Sequence, residues 1–193
     1  SNEVESGTLE TLEVCRLLSE QGKTEANVYI LMGELSNQAA IQRTQDIKDV
    51  MASGDCGVTL NIVDEQTGNW RRDEGQNLMT NWLSAGAEFD AVISNNDEMA
   101  IGAIQALKAG GVAMEDVIVA GIDATQDALA AMQAGELDVT VFQDAAGQGS
   151  GALGGGALDA AVKLAAGEAV EQKVYVPFQL VTPANIGDYM SSN

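Results

Sequence analysis

Short apolar runs alternate with longer stretches of helical period along almost the whole chain, and this pattern limits the available folds more than any other feature. The runs lie at 27–33 (NVYILMG), 58–63 (VTLNIV), 91–94 (AVIS), 117–122 (VIVAGI), 139–142 (VTVF) and 174–181 (VYVPFQLV). They are hydrophobic nearly throughout, as strands covered on both faces must be. Between them, Gly75, Leu78, Met79, Trp82 and Leu83 recur at helical spacing, as do Ala100, Ala103, Ile104 and Leu107. Leu153, Ala157, Ala160 and Leu164 continue the series, and Leu9, Leu12, Cys15 and Leu18 mark an opening helix. Asn96 or Asp97 can cap the helix that ends at Gly110 and Gly111, and Gly135 closes the next one. Strands alternating with helices imply right-handed βαβ units and an α/β, doubly wound parallel sheet.

Composition removes several kinds of chemistry. There is no histidine, so neither a Ser-His-Asp or Cys-His mechanism nor a His-ligated metal can be built. Two cysteines, Cys15 and Cys56, are too few for a zinc cage; a bridge between them and two free thiols are both open. With 9 basic against 29 acidic residues and a formal charge of −20, nucleic acid and anionic membrane surfaces are poor partners. No apolar run approaches the roughly 18 residues of a membrane span, so no direct membrane insertion is expected. The opening SNEVESG has neither the basic start nor the apolar stretch of a signal peptide. A G-x-G-x-x-G match at 149–154 is a poor dinucleotide fingerprint, because five residues separate it from Gln143 at the end of the preceding run and no acid ends the following one. No cofactor is expected.

Open parallel sheets bind ligands beyond the carboxyl ends of their strands, so the residues after each run are the informative ones. The first offers Glu34, Asn37 and, in the following helix, Arg43; the second leads to Trp70. The third gives Asn95, Asn96, Asp97 and Glu98, the fourth Asp123, and the fifth Gln143 and Asp144. Arg43, Trp70, Asn96, Asp123 and Gln143 together suit a polyol: the carboxylate and amides fork onto adjacent hydroxyls, the guanidinium donates, and the indole covers an apolar ring face. The rim has no nucleophile, and among its carboxylates only Asp97, Glu98 or Asp123 could serve an enzyme as a base. Each candidate also has a structural reading: Asn96 and Asp97 as caps, Trp70 as packing, Arg43 as a solvated charge, Asp123 as a turn former. Glu98, Asp127 and Asp46 are expected on solvated faces.

The segments VISNNDEMAIGAIQALKAGG, VIVAGIDAT and LDVTVFQ resemble the periplasmic sugar-binding proteins of the ribose-binding type, receptors for ABC importers. The resemblance runs over essentially the whole chain, and TGNWRRDEGQNLMTNWL is most similar to the branch assigned to inositol, rhizopine and related cyclic polyols. It implies a type I periplasmic-binding-protein fold, a flavodoxin-like or Rossmann-like lobe, with Arg43, Trp70, Asn96, Asp123 and Gln143 as ligand-binding residues. It further implies a non-enzymatic, periplasmic receptor whose partners are a monosaccharide or cyclic polyol and the membrane permease of an ABC importer. The effector-binding domain of a sugar-responsive transcriptional repressor shares the fold; its helix-turn-helix could lie in the missing portion, and the charge of −20 argues against that alternative. By the same resemblance the first lobe is missing. Residues 1–143 correspond to the second lobe, and 144–193 to a hinge crossing, a helix spanning 152–166 and a closing strand that belong with the first. A chain of this extent is expected to bind its ligand weakly or not at all.

Overall fold

The computed structural model describes residues 2–149 and 156–190. Helix α1 (Glu3–Glu20) leads into β1 (Glu25–Met32), α2 (Gln38–Ser53), β2 (Thr59–Thr67), α3 (Arg72–Ala85), β3 (Ala91–Ser94), α4 (Asp97–Ala109) and β4 (Ile118–Ala120). Then follow α5 (Gln126–Gln133), β5 (Thr140–Phe142), the short α6 (Ala145–Gly149), α7 (Ala157–Ala165), β6 (Gln179–Val181) and α8 (Gly187–Met190).

Four strands form a parallel sheet in the order β2-β1-β3-β4. Parallel bridges from Ala120 to Val139 and from Asp123 to Phe142 set β5 beside β4. Strand β6 then pairs antiparallel with β5, Val181 opposite Thr140 and Gln179 opposite Phe142. The expected parallel sheet thus carries one antiparallel edge strand. An antiparallel strand needs no crossover helix to bring it into register.

Alternation along the strands sorts the core into two layers. Tyr29, Leu31, Val92 and Val119 face α3, α4 and α5, meeting Met79, Trp82, Leu107 and Leu129. Val28, Ile30, Ala91, Ile93, Ile118 and Ala120 face α1 and α2, meeting Val14, Leu18 and Ile47. This double covering is why the strand sequences are apolar throughout. Close helix packing relies on glycine: a Cβ on Gly102 would stand 2.0 Å from the Arg72 carbonyl, and one on Gly7 2.7 Å from the Arg43 carbonyl. The cysteines are bridged, Cys15 of α1 to Cys56 beyond α2.

The segment after β5 does not behave as one piece. No residue of α7 is buried, and Leu158, Val162 and Leu164 are exposed. Phe178 and Val181, by contrast, are buried on the lobe, with Ile186 and Tyr189 packed against its core. The glycine motif at 149–154 lies almost entirely outside the described residues.

Candidate functional site

The strand order changes direction between β1 and β3, where the crossovers leave a crevice at the carboxyl edge. Asn95, just past β3, bridges it. Its Oδ1 accepts from the Gly33 amide at 3.1 Å and from the Thr44 hydroxyl at 3.0 Å. Asn95 is fully buried, and its Nδ2 has no hydrogen-bond partner among the described residues.

Arg43 is the hub. Helix α2 begins at an Asn37 cap, whose side chain accepts from the Ala39 amide, and runs back over the sheet, burying Arg43 to 4% exposure. Its Nη1 donates to the Asn95 carbonyl at 2.7 Å, its Nη2 to Gln143 Oε1 at 3.4 Å, and its Nε to Glu3 Oε2 at 3.2 Å. Asp123 Oδ1 is 3.8 Å from Nη1. The guanidinium carbon lies 5.8 Å from the Trp70 ring centroid and 6.0 Å from that of Phe178. Arg43 is therefore no solvated helix charge; it joins the residues that follow β2, β3, β4 and β5.

Trp70 takes a left-handed backbone (φ 67°), as does Asn69 (φ 51°), and this turns the indole back across Gly33. A Cβ on Gly33 would come within 2.2 Å of the ring, so only glycine lets the indole lie there. Asn96 spends its amide on structure: Oδ1 caps α4 by accepting from the Met99 amide at 3.1 Å, and Nδ2 reaches the Trp70 carbonyl at 3.4 Å. It anchors the Trp70 loop to the start of α4.

The acids around Arg43 outnumber it. Burial pushes Asp123 up to about 7, and the nearby Asp97 charge adds to this against the pull of Arg43. Burial also takes Asp97 up to about 6, despite donors from Thr125 and Thr140. Glu10 of α1 is fully buried with both oxygens unpartnered among the described residues, and desolvation holds it well above the usual carboxylate range. Asp46, expected on a solvated face, is 1% exposed because α2 packs on α1 at Gly7; burial raises it to about 6. Glu98 and Asp127 pair with Arg72 at 2.9 and 2.7 Å, away from the rim.

Of the five residues expected at the rim, Trp70, Asp123 and Gln143 thus gather around the Arg43 guanidinium, and Asn96 joins them only through the Trp70 carbonyl. Sequence reasoning did not single out Gly33, Asn95, Glu3 or Glu10. Asn95 stood next to a chosen residue, and Gly33 ended a recognised run. The two glutamates gave no signal in so acidic a chain.

Residues 5–169 match the model of the periplasmic binding protein domain. The chain belongs to the periplasmic binding protein family. Over all 193 residues this periplasmic binding protein is 62% identical to a protein of Rhizobium meliloti assigned to rhizopine binding, and it covers 59% of that relative. It is 33% identical over 156 residues to the ribose import binding protein of Salmonella typhimurium, covering 49% of it. Its fold superposes with a TM-score of 0.87 on an ABC transporter solute binding protein of Bacillus halodurans solved with myo-inositol, at 47% identity, covering 99% of this chain and 62% of that one. The chain thus spans about half to three fifths of these relatives. All three are binding proteins, assigned to rhizopine, to ribose and, in the solved structure, found with myo-inositol. Among the described residues, no helix is long and apolar enough to cross a membrane.

Proposed function

We propose that this periplasmic binding protein presents one wall of a receptor site for a neutral cyclic polyol or monosaccharide, of the inositol and ribose kind bound by its relatives, and that the receptor delivers its ligand unchanged to an ABC importer. The observation that carries this reading is the Arg43 cluster. One buried guanidinium aligns an indole face, a carboxylate and a carboxamide along a single carboxyl-edge rim. Such a rim offers a stacking surface for ring C–H groups and charged or polar partners for ring hydroxyls. It has no nucleophile for group transfer. We further place residues 1–143 in the second lobe and assign the exposed α7 to a first lobe supplied from outside this chain. A two-lobed receptor closes both walls over its ligand and excludes water, so one wall alone holds it weakly.

Saturation-transfer NMR tests the reading with the 193-residue chain and myo-inositol, ribose and allose. Weak transfer to ring protons is expected for at least one of them, and Asp123→Ala abolishes it because the bound hydroxyls lose their charged acceptor. Transfer that survives Asp123→Ala removes the site assignment. Micromolar affinity of the chain alone removes the need for a second wall.

A further inference from the structure

Asp123 and Ala124 form a turn in which two successive non-glycine residues have positive φ, 126° and 52°. L-residues avoid that region, so such a turn persists only where neighbours hold it. The neighbours here converge on Asp97. Its amide donates to the Ile122 carbonyl at 2.8 Å, and its Oδ2 accepts from the Thr125 amide at 2.7 Å. Its Oδ1 accepts from the Thr140 hydroxyl at 2.7 Å, and Thr140 Oγ1 in turn accepts from the Ala124 amide at 3.1 Å. Asp97 and Thr140 are both completely buried. Gly121 completes the fit, since a Cβ there would lie 2.5 Å from Asp97 Oδ1.

Asp97 therefore is not the cap of α4, a role Asn96 fills. Its carboxylate faces the other way, across the ends of β4 and β5. It brackets Asp123 with bonds to the residue before it and, through Thr140 and Thr125, to the two residues after it. We infer that Asp97 is a positioning residue for the ligand-facing Asp123, acting through Thr140 to hold the strained Asp123–Ala124 turn. The inference rests on the proposed role of Asp123 in ligand binding, but its structural half can be measured without ligand.

Thr140→Val is nearly isosteric and leaves Asp97 in the chain while removing the hydroxyl that accepts from Ala124 and donates to Asp97. With the turn released, the backbone NMR signals of Asp123 and Ala124 shift, and the Asp123 carboxyl titration followed by carbon-13 NMR moves toward that of an ordinary carboxylate. Transfer to myo-inositol weakens about tenfold, as expected when a buried hydrogen bond is lost from beneath a contact. Thr140→Ser, which keeps the hydroxyl, restores all three. Unchanged Asp123 signals and titration in folded Thr140→Val overturn the inference. In the wild type, the Ala124 amide should be protected from hydrogen exchange, and exchange at the rate of an open loop overturns it equally. A wild type silent toward inositol, ribose and allose counts against the sugar reading alone, because the Asp123 comparison still decides the role of Asp97.

Discussion

Gly33 shows how a residue without a side chain can set the shape of a site. Its amide is held by Asn95, and the Trp70 indole occupies the space a Cβ would fill. Gly33→Ala must push the ring, which sits at the end of a movable side chain, off the rim. The backbone at Gly33 is not in the left-handed region, so the fold should tolerate the change. The expected result is a Trp70 fluorescence shift toward the solvent-exposed range with the melting temperature nearly constant, and loss of saturation transfer to inositol. The chain's other indole, Trp82, is a steady background: it stacks on Tyr29 at 4.3 Å and donates to Asp64 at 2.7 Å. An unchanged emission spectrum would show that the ring does not lie where the structure puts it. The contrast with Arg43, Trp70, Asn96, Asp123 and Gln143 explains what the sequence could reveal. Those five follow strands, and the rule that parallel sheets bind at their carboxyl edge points to them directly. Asn95 follows β3 and falls under the same rule, but its role, like those of Gly33 and Glu10, comes from distances to residues far along the chain, and no local pattern encodes a distance of that kind.

At the scale of elements, β1, β3 and the helices α1, α3 and α4 were legible because burial on two faces and the 3.6-residue period leave strong patterns. Strand β6 was less so. The apolar run 174–181 reads as a long strand, yet only Gln179–Val181 pairs, and Val174 and Tyr175 are exposed. Apolar content cannot distinguish a residue that covers this sheet from one that covers something else, and α7 poses the same ambiguity with its exposed Leu158, Val162 and Leu164. The disulfide was equally undetermined, since two cysteines in a sequence do not reveal their separation. In the structure it ties α1 to the turn after α2 across 41 residues. Closing a loop of that length removes about 4 kcal/mol of chain entropy from the unfolded state. The Cys15→Ser/Cys56→Ser double variant should therefore melt well below the wild type, and the reductant-treated wild type should match it. Equal melting temperatures with and without the bridge would mean that packing of α1 on α2 alone holds this edge.

For the molecule as a whole, the buried acids convert directly into a pH dependence. Asp97 and Asp46 sit near 6 and Asp123 near 7, against 3.8 for an unburied aspartate, and desolvation holds Glu10 well above its ordinary value. Between about pH 4 and 7 the folded chain therefore binds more protons than the unfolded chain, and stability falls as pH rises through that window. Below it both states are protonated at these groups, so their penalty vanishes; above it the penalty of the three aspartates is complete. Asp64 acts in the opposite direction, its carboxylate held low by donors from Gln66 and Trp82, but its contribution is lost only at pH values near or below its ordinary range. The formal charge of −20 adds a self-repulsion with the same sign as the buried acids. The melting temperature should accordingly be higher at pH 5 than at pH 8. Asp123→Asn separates the two causes, because it removes one half-buried charge and barely alters the net charge. It should raise the melting temperature at pH 8, leave it nearly unchanged at pH 5, and flatten the profile between them. A wild type more stable at pH 8 than at pH 5 would refute the buried-acid account. A profile unaltered by Asp123→Asn would remove Asp123 from this account, and flattening by added salt would then assign the profile to net repulsion rather than to Asp97, Asp46 and Glu10.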